Sequence, residues 1–172
     1  SEMCIRDRMN EEQIERIVKI ISEKKRIYVY GKGSSGLVAK EMRLRFMRIG
    51  VNIEAIVDED VMKMNAVLLN EECAVIGISI SGRTEVVINS VKVAKECSAT
   101  TILMTAHVEK RFGDFCDEVL LFAVKENLDT GKAISPQFPI LVMVDIIYSR
   151  MLLSDHFRRE TLHEFTLEAL DR

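Results

Sequence analysis

Serine and threonine hydroxyls are concentrated in one six-residue segment, 79–84, with the sequence SISGRT. It follows a continuous apolar run and precedes a stretch of helical periodicity, so we expect a loop between a buried strand and a helix. Hydroxyl and backbone N–H groups that converge in such a loop suit a phosphate monoester dianion. The alternative is a helix cap formed by Ser81 and Thr84, but a cap worth about 1 kcal/mol needs only one hydroxyl. Three hydroxyls, on Ser79, Ser81 and Thr84, favour a phosphate site.

A second segment, 31–36, has the sequence GKGSSG and lies between a β-rich run and another helical stretch. Glycine allows a sharp backbone turn, and a helix N-terminus offers unpaired N–H groups with a partial positive charge. The pattern also matches a dinucleotide fingerprint, which requires an acidic residue at the end of the second strand, where Asp58 stands. Three interpretations stay open at this point: a phosphate loop, a dinucleotide site, and a serine-capped turn without a ligand.

The elements that must position these loops alternate along the chain. Apolar runs predict strands at 26–30, 51–57, 73–79, 100–105 and 118–124. Helical periodicity predicts helices at 10–24, from Gly36 to Gly50, and at 62–69, 84–97, 140–153 and 155–170. Repeated β-α-β units give an α/β fold, a three-layer αβα sandwich with a five-stranded parallel sheet. Ligands of such sheets bind at the carboxyl ends of strands near the topological switch point, which indicates the loops after the first and third strands.

The length of 172 residues suits one domain with a substantial core. Residues 1–8 fit neither a helix nor a strand pattern, and we interpret them as a disordered or non-native leader. Residues 9–172 then form a single domain with flanking N-terminal and C-terminal helices. A net charge of −3 argues against nucleic-acid binding by this chain alone. No apolar run approaches the roughly 20 residues of a membrane span, and no secretory signal is recognisable.

The four cysteines are Cys4, Cys73, Cys97 and Cys116, and none forms a C-x-x-C pair. This spacing predicts reduced, mostly buried thiols in a cytoplasmic protein. The three histidines stand at unrelated spacings, so we expect no metal site and no cofactor.

Together, a strand followed by Gly-x-Gly-x-Ser and a strand followed by Ser-x-Ser-Gly-x-Thr resemble the sugar isomerase (SIS) domain family, over roughly residues 26–153. The resemblance implies the flavodoxin-like sandwich derived above and a phosphosugar ligand. It also implies a homodimer or homotetramer with the site near the subunit interface. The residues that would hold the phosphate are Ser79, Ser81 and Thr84. Those that would line the other side of the cleft are Ser34 and Ser35. The glycines that would serve backbone geometry are Gly33, Gly36 and Gly82.

Within this family, segments 33–39, 47–50 and 135–139 are most similar to the effector domain of RpiR-type transcription regulators. This similarity adds Ser135 to the candidate ligand-binding residues. Such regulators carry an N-terminal helix-turn-helix domain, and too few residues precede Arg26 to form one. We therefore interpret the chain as a phosphosugar-sensing domain that would reach DNA only through a missing N-terminal domain.

The alternative is a stand-alone aldose-ketose isomerase, similar to hexulose-phosphate isomerases. Such an enzyme needs a general base, and the weak candidates are Glu85 and His163, with His107 and the acidic run 58–60 behind them. Related isomerases carry a carboxylate where this chain has Gln137, and some carry a lysine near the position of Ser34. Both are absent here, so the catalytic residue is unknown and we favour ligand binding without turnover.

Overall fold

Five parallel strands form one sheet in the computed structural model, which describes residues 10–122 and 137–172. The strands are β1 (Arg26–Tyr30), β2 (Ile53–Ile56), β3 (Cys73–Ile78), β4 (Thr100–Thr105) and β5 (Glu118–Leu121). Their spatial order is β2-β1-β3-β4-β5, and every neighbouring pair is parallel. The predicted α/β sandwich is confirmed, with the strand order of flavodoxin-like folds and a switch point between β1 and β3. Two predictions lie outside the described residues: the leader at residues 1–8, which includes Cys4, and the candidate ligand-binding residue Ser135.

Helices cover both faces of this sheet. They are α1 (Glu11–Glu23), α2 (Ser34–Met47), α3 (Glu59–Ala66), α4 (Glu85–Glu96), α5 (Gln137–Ser154) and α6 (His156–Leu170). One apolar cluster joins α1, α2 and α5 to one face, and a second joins α3, α4 and the segment after β4 to the other. All six residues of β3 are buried because this central strand has helices on both sides.

Two of the differences from the sequence prediction have a clear physical cause. Helix α3 begins at Glu59 rather than at residue 62, because the Asp58 carboxylate accepts a hydrogen bond of 2.9 Å from the Val61 N–H and caps the helix. A short 3-10 helix, Lys110–Asp114, was not predicted. It buries only Phe112 and therefore leaves no periodic signal in the sequence.

Helix α5 departs from the prediction that no segment approaches a membrane span, because it is the one described helix long and apolar enough to cross a membrane by length and composition, with 18 residues and a mean hydropathy of 1.3. Asp145 and Arg150 interrupt its apolar sequence. Its buried side chains pack with α1 and α2 in the first apolar cluster: Ile140, Met143, Val144, Ile147 and Met151. The core helix of an α/β domain has this composition, and we assign α5 to the core.

Helix α6 closes the chain and contacts the turn after α2. The Arg159 guanidinium donates to the Ile49 carbonyl oxygen at 3.3 Å, and Arg48 Nε donates to Thr166 Oγ1 at 3.0 Å. That turn precedes β2, so this part of α6 lies at the amino edge of the sheet. Arg159 is the one buried residue of α6, and the large apolar side chains Phe157, Phe165 and Leu170 are exposed.

The described cysteines are free thiols. Cys73 and Cys116 are buried and Cys97 is half-buried. Burial raises the pKa of Cys116 to about 12.

Candidate functional site

The two serine-containing loops lie side by side at the carboxyl edge of the sheet. The 31–36 loop follows β1 and the 79–84 loop follows β3. These strands pair directly, with Tyr30 opposite Gly77 near their carboxyl ends. The switch point therefore lies between the two loops, where parallel α/β sheets bind their ligands.

Hydroxyl groups organise the 79–84 loop from within. The buried Ser79 hydroxyl donates to Thr84 Oγ1 at 2.9 Å and accepts from the Thr84 N–H at 3.3 Å. The exposed Ser81 hydroxyl accepts from the Arg83 N–H at 3.1 Å. Ser79 therefore fixes the two ends of the loop to each other, while Ser81 presents its hydroxyl at the surface.

The N-terminus of α4 opens directly from this loop. Thr84 is the N-cap residue, but its side chain makes no capping hydrogen bond, and Ser81 bonds to Arg83 instead of the helix. The helix-cap interpretation of these hydroxyls is therefore wrong. An α-helix begins with N–H groups that have no partner within the helix and with a partial positive charge. In α4 the side chain of Thr84 makes no hydrogen bond to these N–H groups. The N-terminus of α4 therefore suits the binding of an anion.

The segment after β4 supports the 79–84 loop from the side. Gly82 has φ +70°, and a Cβ atom there would lie 2.9 Å from Phe112 Cζ. The Arg111 guanidinium donates to the Gly82 carbonyl oxygen at 3.3 Å, and the Ala106 N–H donates to the Ile80 carbonyl oxygen at 3.1 Å. Sequence reasoning missed Arg111 and Phe112, because the 3-10 helix that carries them has no apolar period.

The 31–36 loop places its serines inside a helix. Helix α2 begins at Ser34, so Ser34 and Ser35 belong to its first turn; Ser34 is exposed and Ser35 is buried. Gly33, the N-cap residue, has φ +57°, a conformation that glycine adopts at little cost. A Cβ atom on Gly36 would lie 3.1 Å from both the Gly31 carbonyl oxygen and Val57 Cγ1. Gly36 thus lets the helix approach the strands closely.

The dinucleotide interpretation of this loop finds no support in the structure. The carboxylate of Asp58 caps α3, and the strand order differs from the 3-2-1-4-5-6 order of dinucleotide-binding sheets.

An open cleft of about 540 Å³ lies beside the loops, between the N-terminal parts of α3 and α4. Its lining combines three cations, two carboxylates and an amide: Lys32, Glu59, Lys63, Arg83, Thr84, Glu85, Val86 and Asn89. Lys32 comes from the 31–36 loop, and Arg83 and Thr84 come from the 79–84 loop. The Lys32 ammonium donates a hydrogen bond to Glu59 and lowers the pKa of that carboxyl below its ordinary value.

The candidate bases fall in different places. Glu85 is the first residue of α4 and lines the cleft. His107 is exposed directly after β4, where its backbone N–H donates to Thr105 Oγ1 at 3.3 Å. His163 lies on α6 between Leu162, which contacts Gly50, and Thr166, which bonds to Arg48. His163 is therefore at the opposite edge of the sheet from both loops of its own chain.

The sequence matches the model of the SIS domain family over residues 20–144. An uncharacterized HTH-type transcriptional regulator of Haemophilus influenzae is 31% identical over 140 residues, and the match covers 81% of this chain and 49% of that protein. The HTH-type transcriptional regulator RpiR of Escherichia coli K12 is 27% identical over 140 residues, covering 81% of this chain and 47% of that protein. The chain thus spans about half the length of these relatives.

Solved structures share the fold at low sequence identity. The Vibrio vulnificus NanR protein, complexed with ManNAc-6P, superposes with a TM-score of 0.86 at 22% identity, over 97% of this chain and 64% of that one. The sugar isomerase domain of an RpiR transcription factor from Sphaerobacter thermophilus superposes with a TM-score of 0.82 at 17% identity, over 96% of this chain and 89% of that one.

Proposed function

Because the chain belongs to the SIS domain family, we propose that it binds a phosphorylated sugar where the 31–36 and 79–84 loops meet. The chain is homologous to about half of RpiR-type transcription regulators. Its role, in this proposal, is to sense the phosphosugar and to alter DNA binding by a helix-turn-helix domain elsewhere in the protein.

The observation that carries the proposal is the uncapped N-terminus of α4 beside an exposed serine hydroxyl, at the switch point of the sheet. A phosphate dianion there would accept hydrogen bonds from the Ser81 hydroxyl and from first-turn N–H groups. Ser79 would act by holding Thr84, since its buried hydroxyl bonds to that side chain. The backbone turn at Gly82 would bring these donors together.

The 31–36 loop would contact the sugar body on the other side of the phosphate. Gly33 would supply the turn, and Ser34 and Ser35 would supply hydroxyl groups, with Ser135 contributing from outside the described residues. The NanR protein, which shares the fold and is complexed with ManNAc-6P, supports a phosphorylated sugar as the ligand class.

Binding without turnover is the favoured form of this function. Of the two weak candidate bases, Glu85 lines the cleft at the start of α4. His163 lies at the opposite edge of the sheet and would have to act on the site of a neighbouring subunit. The alternative is a hexulose-phosphate isomerase-like enzyme, in which Glu85 or a partner's histidine moves the proton between adjacent carbons. We keep the cytoplasm as the expected location, with no membrane partner, in line with the regulator relatives.

Self-association is part of the proposal, as a homodimer or homotetramer. Phe157, Phe165 and Leu170 on α6 have exposed fractions of 84%, 59% and 80%. In such an assembly, a second subunit would cover exposed apolar side chains of this size along α6.

Thermal-shift measurements with phosphates of hexoses, pentoses, hexosamines and N-acetylmuramic acid, each paired with its unphosphorylated sugar, test the proposal. We expect a phosphorylated sugar to raise the Tm and its unphosphorylated partner to leave the Tm unchanged. Hits are then incubated with the protein and followed by NMR. Stabilisation without conversion supports a sensor. Conversion that Glu85→Gln or His163→Ala abolishes would make the chain an isomerase, and no stabilisation by any phosphosugar would contradict the phosphate site.

A further inference from the structure

We propose that Lys32 binds the phosphate group of the ligand and that Glu59 competes with the ligand for Lys32. The ion pair between Lys32 and Glu59, called the lysine latch below, would then open when the ligand enters. This inference rests on the proposed function and deepens it, because it assigns a binding residue and a built-in competitor to the same site.

The backbone presents Lys32 at the edge of the site. Lys32 stands between Gly31 and Gly33 directly after β1, and its carbonyl oxygen accepts from the Ser35 N–H at 3.1 Å. This bond fixes the backbone, so the ammonium position depends on the side chain alone. The side chains of the ion pair are 56% and 44% exposed, for Lys32 and Glu59 respectively. An incoming anion can therefore reach the ammonium without unfolding any element.

The cleft brings Lys32 together with the proposed phosphate donors. Lys32 and Arg83 come from different loops and line the same cleft as Thr84, at the N-terminus of α4. The first-turn residues Glu85 and Val86 also line this cleft, so an anion held at the N-terminus of α4 would lie at its edge. One cleft thus combines two cationic side chains, one from each loop, with an uncapped helix N-terminus.

A phosphate group is the stronger partner for Lys32. Exposed ion pairs between lysine and a carboxylate contribute only about 0–1 kcal/mol. A phosphate monoester carries nearly twice the charge of a carboxylate and offers three acceptor oxygens. Lys63 stands one helical turn further along α3, lines the same cleft and pairs loosely with Asp60 at 3.7 Å, so it can also take Glu59 as a partner. A glutamate followed by a lysine four residues later is the favourable order on a helix.

The test compares two substitutions that break the same ion pair. Lys32→Met removes the ammonium and keeps the aliphatic stem, while Glu59→Gln removes the competing charge and keeps the shape. The probe is inorganic phosphate, titrated at constant ionic strength and followed by NMR on the backbone amides of residues 81–86. The matched control is Lys25→Met and Glu72→Gln, an exposed ion pair at the opposite edge of the sheet.

The lysine latch predicts effects of opposite sign. Lys32→Met should raise the Kd for phosphate about fivefold, since it removes one exposed charge contact with the phosphate. Glu59→Gln should lower the Kd about two- to fivefold, since it frees Lys32 from one exposed ion pair. The two control variants should keep the wild-type Kd. A Glu59→Gln variant that binds more weakly than wild type, or a Lys32→Met variant with the wild-type Kd, would overturn the latch alone. Phosphate that leaves the amides of wild-type residues 81–86 unshifted would overturn the proposed function together with the latch.

Discussion

At the scale of single residues, Gly82 is the position where the loop geometry depends most on one side chain. Its φ of +70° is a conformation that residues with a side chain rarely adopt, and Phe112 and Thr105 leave no room for a Cβ atom. Gly82→Ala should lower the free energy of unfolding by about 1–3 kcal/mol, because it combines a left-handed conformation with a clash. It should also weaken phosphosugar binding, because the loop must shift.

Urea denaturation and calorimetry measure both effects. The matched control is Gly113→Ala, where a Cβ atom would meet no heavy atom within 4 Å and φ is ordinary. Equal stability and equal affinity of Gly82→Ala and wild type would show that the loop geometry is not fixed here.

Asp117 links β4 to the segment before β5 and makes stability depend on pH. Burial alone would raise its pKa, but hydrogen bonds from Lys95 at 2.6 Å and from the Thr101 N–H at 2.9 Å outweigh burial and lower the pKa below its ordinary value. A carboxyl whose pKa is lowered on folding stabilises the protein above its unfolded pKa of about 3.9 and loses that contribution as pH falls through the folded value.

The corresponding variant is Asp117→Asn, which keeps the shape and removes the titration. Wild type should lose more stability than Asp117→Asn when pH falls from about 5 to 3, as measured by chemical denaturation at each pH. Parallel pH profiles for the two proteins would contradict the assignment.

The chemistry of individual residues was only partly predictable from the sequence. The spacing of Ser79, Ser81 and Thr84 was sufficient to predict a hydroxyl-rich loop. It could not predict that Ser79 is buried and bonds to Thr84 while Ser81 is exposed, because burial depends on neighbours distant in sequence. For the same reason, the pairing of Lys32 with Glu59 was not foreseen, since these residues come together only when α3 packs beside the first loop.

At the scale of elements, α5 completes the helical layer that it forms with α1 and α2 on one face of the sheet. Ile147 is 1% exposed in the cluster that joins α5 to α1 and α2. Ile147→Ala should lower the free energy of unfolding by about 2–5 kcal/mol, through lost apolar burial and the cavity left behind.

The control on the same helix is Leu153→Ala, a side chain that is 69% exposed, for which we expect a change of about 0.5 kcal/mol or less. Both values come from chemical denaturation of the purified protein. A small effect of Ile147→Ala would contradict the assignment of α5 to the core.

Element boundaries were predictable where one period governs the segment. The predicted strands 26–30 and 100–105 coincide with β1 and β4, because apolar runs between turn residues define their ends. The start of α3 was missed because the Asp58 cap, and not the apolar period, determines it. The contacts of α6 were left open by the sequence, since its apolar side chains could equally pack on the domain or on a second subunit.

At the scale of the whole molecule, the proposed self-association rests on the exposed apolar side chains of α6. Phe165→Glu replaces one of them with a charge and should shift the protein towards smaller species in sedimentation velocity experiments. Glu164→Gln, at an exposed neighbouring position, should leave the distribution of species unchanged. A wild-type protein that sediments as a monomer at all concentrations would contradict the predicted homodimer or homotetramer.

The fold as a whole was predictable because repeated β-α-β units leave few arrangements of a parallel sheet. The identity of the sugar could not be predicted from the sequence, because it depends on side chains that converge from several loops. The match covers about half the length of the HTH-type regulators.

Binding of a phosphosugar's phosphate by the 79–84 loop is tested by calorimetric titration of wild type, Ser81→Ala and Ser149→Ala. The ligands are the phosphosugar that gives the largest thermal shift and its unphosphorylated sugar. We predict that Ser81→Ala weakens binding of the phosphosugar by about 1–2 kcal/mol, from one lost charge-assisted hydrogen bond. Ser149→Ala, which removes an exposed hydroxyl bonded within α5, should bind like wild type, and the unphosphorylated sugar should bind weakly and equally to all three. Equal affinity of wild type and Ser81→Ala for the phosphosugar would contradict the assignment of the 79–84 loop as the phosphate site.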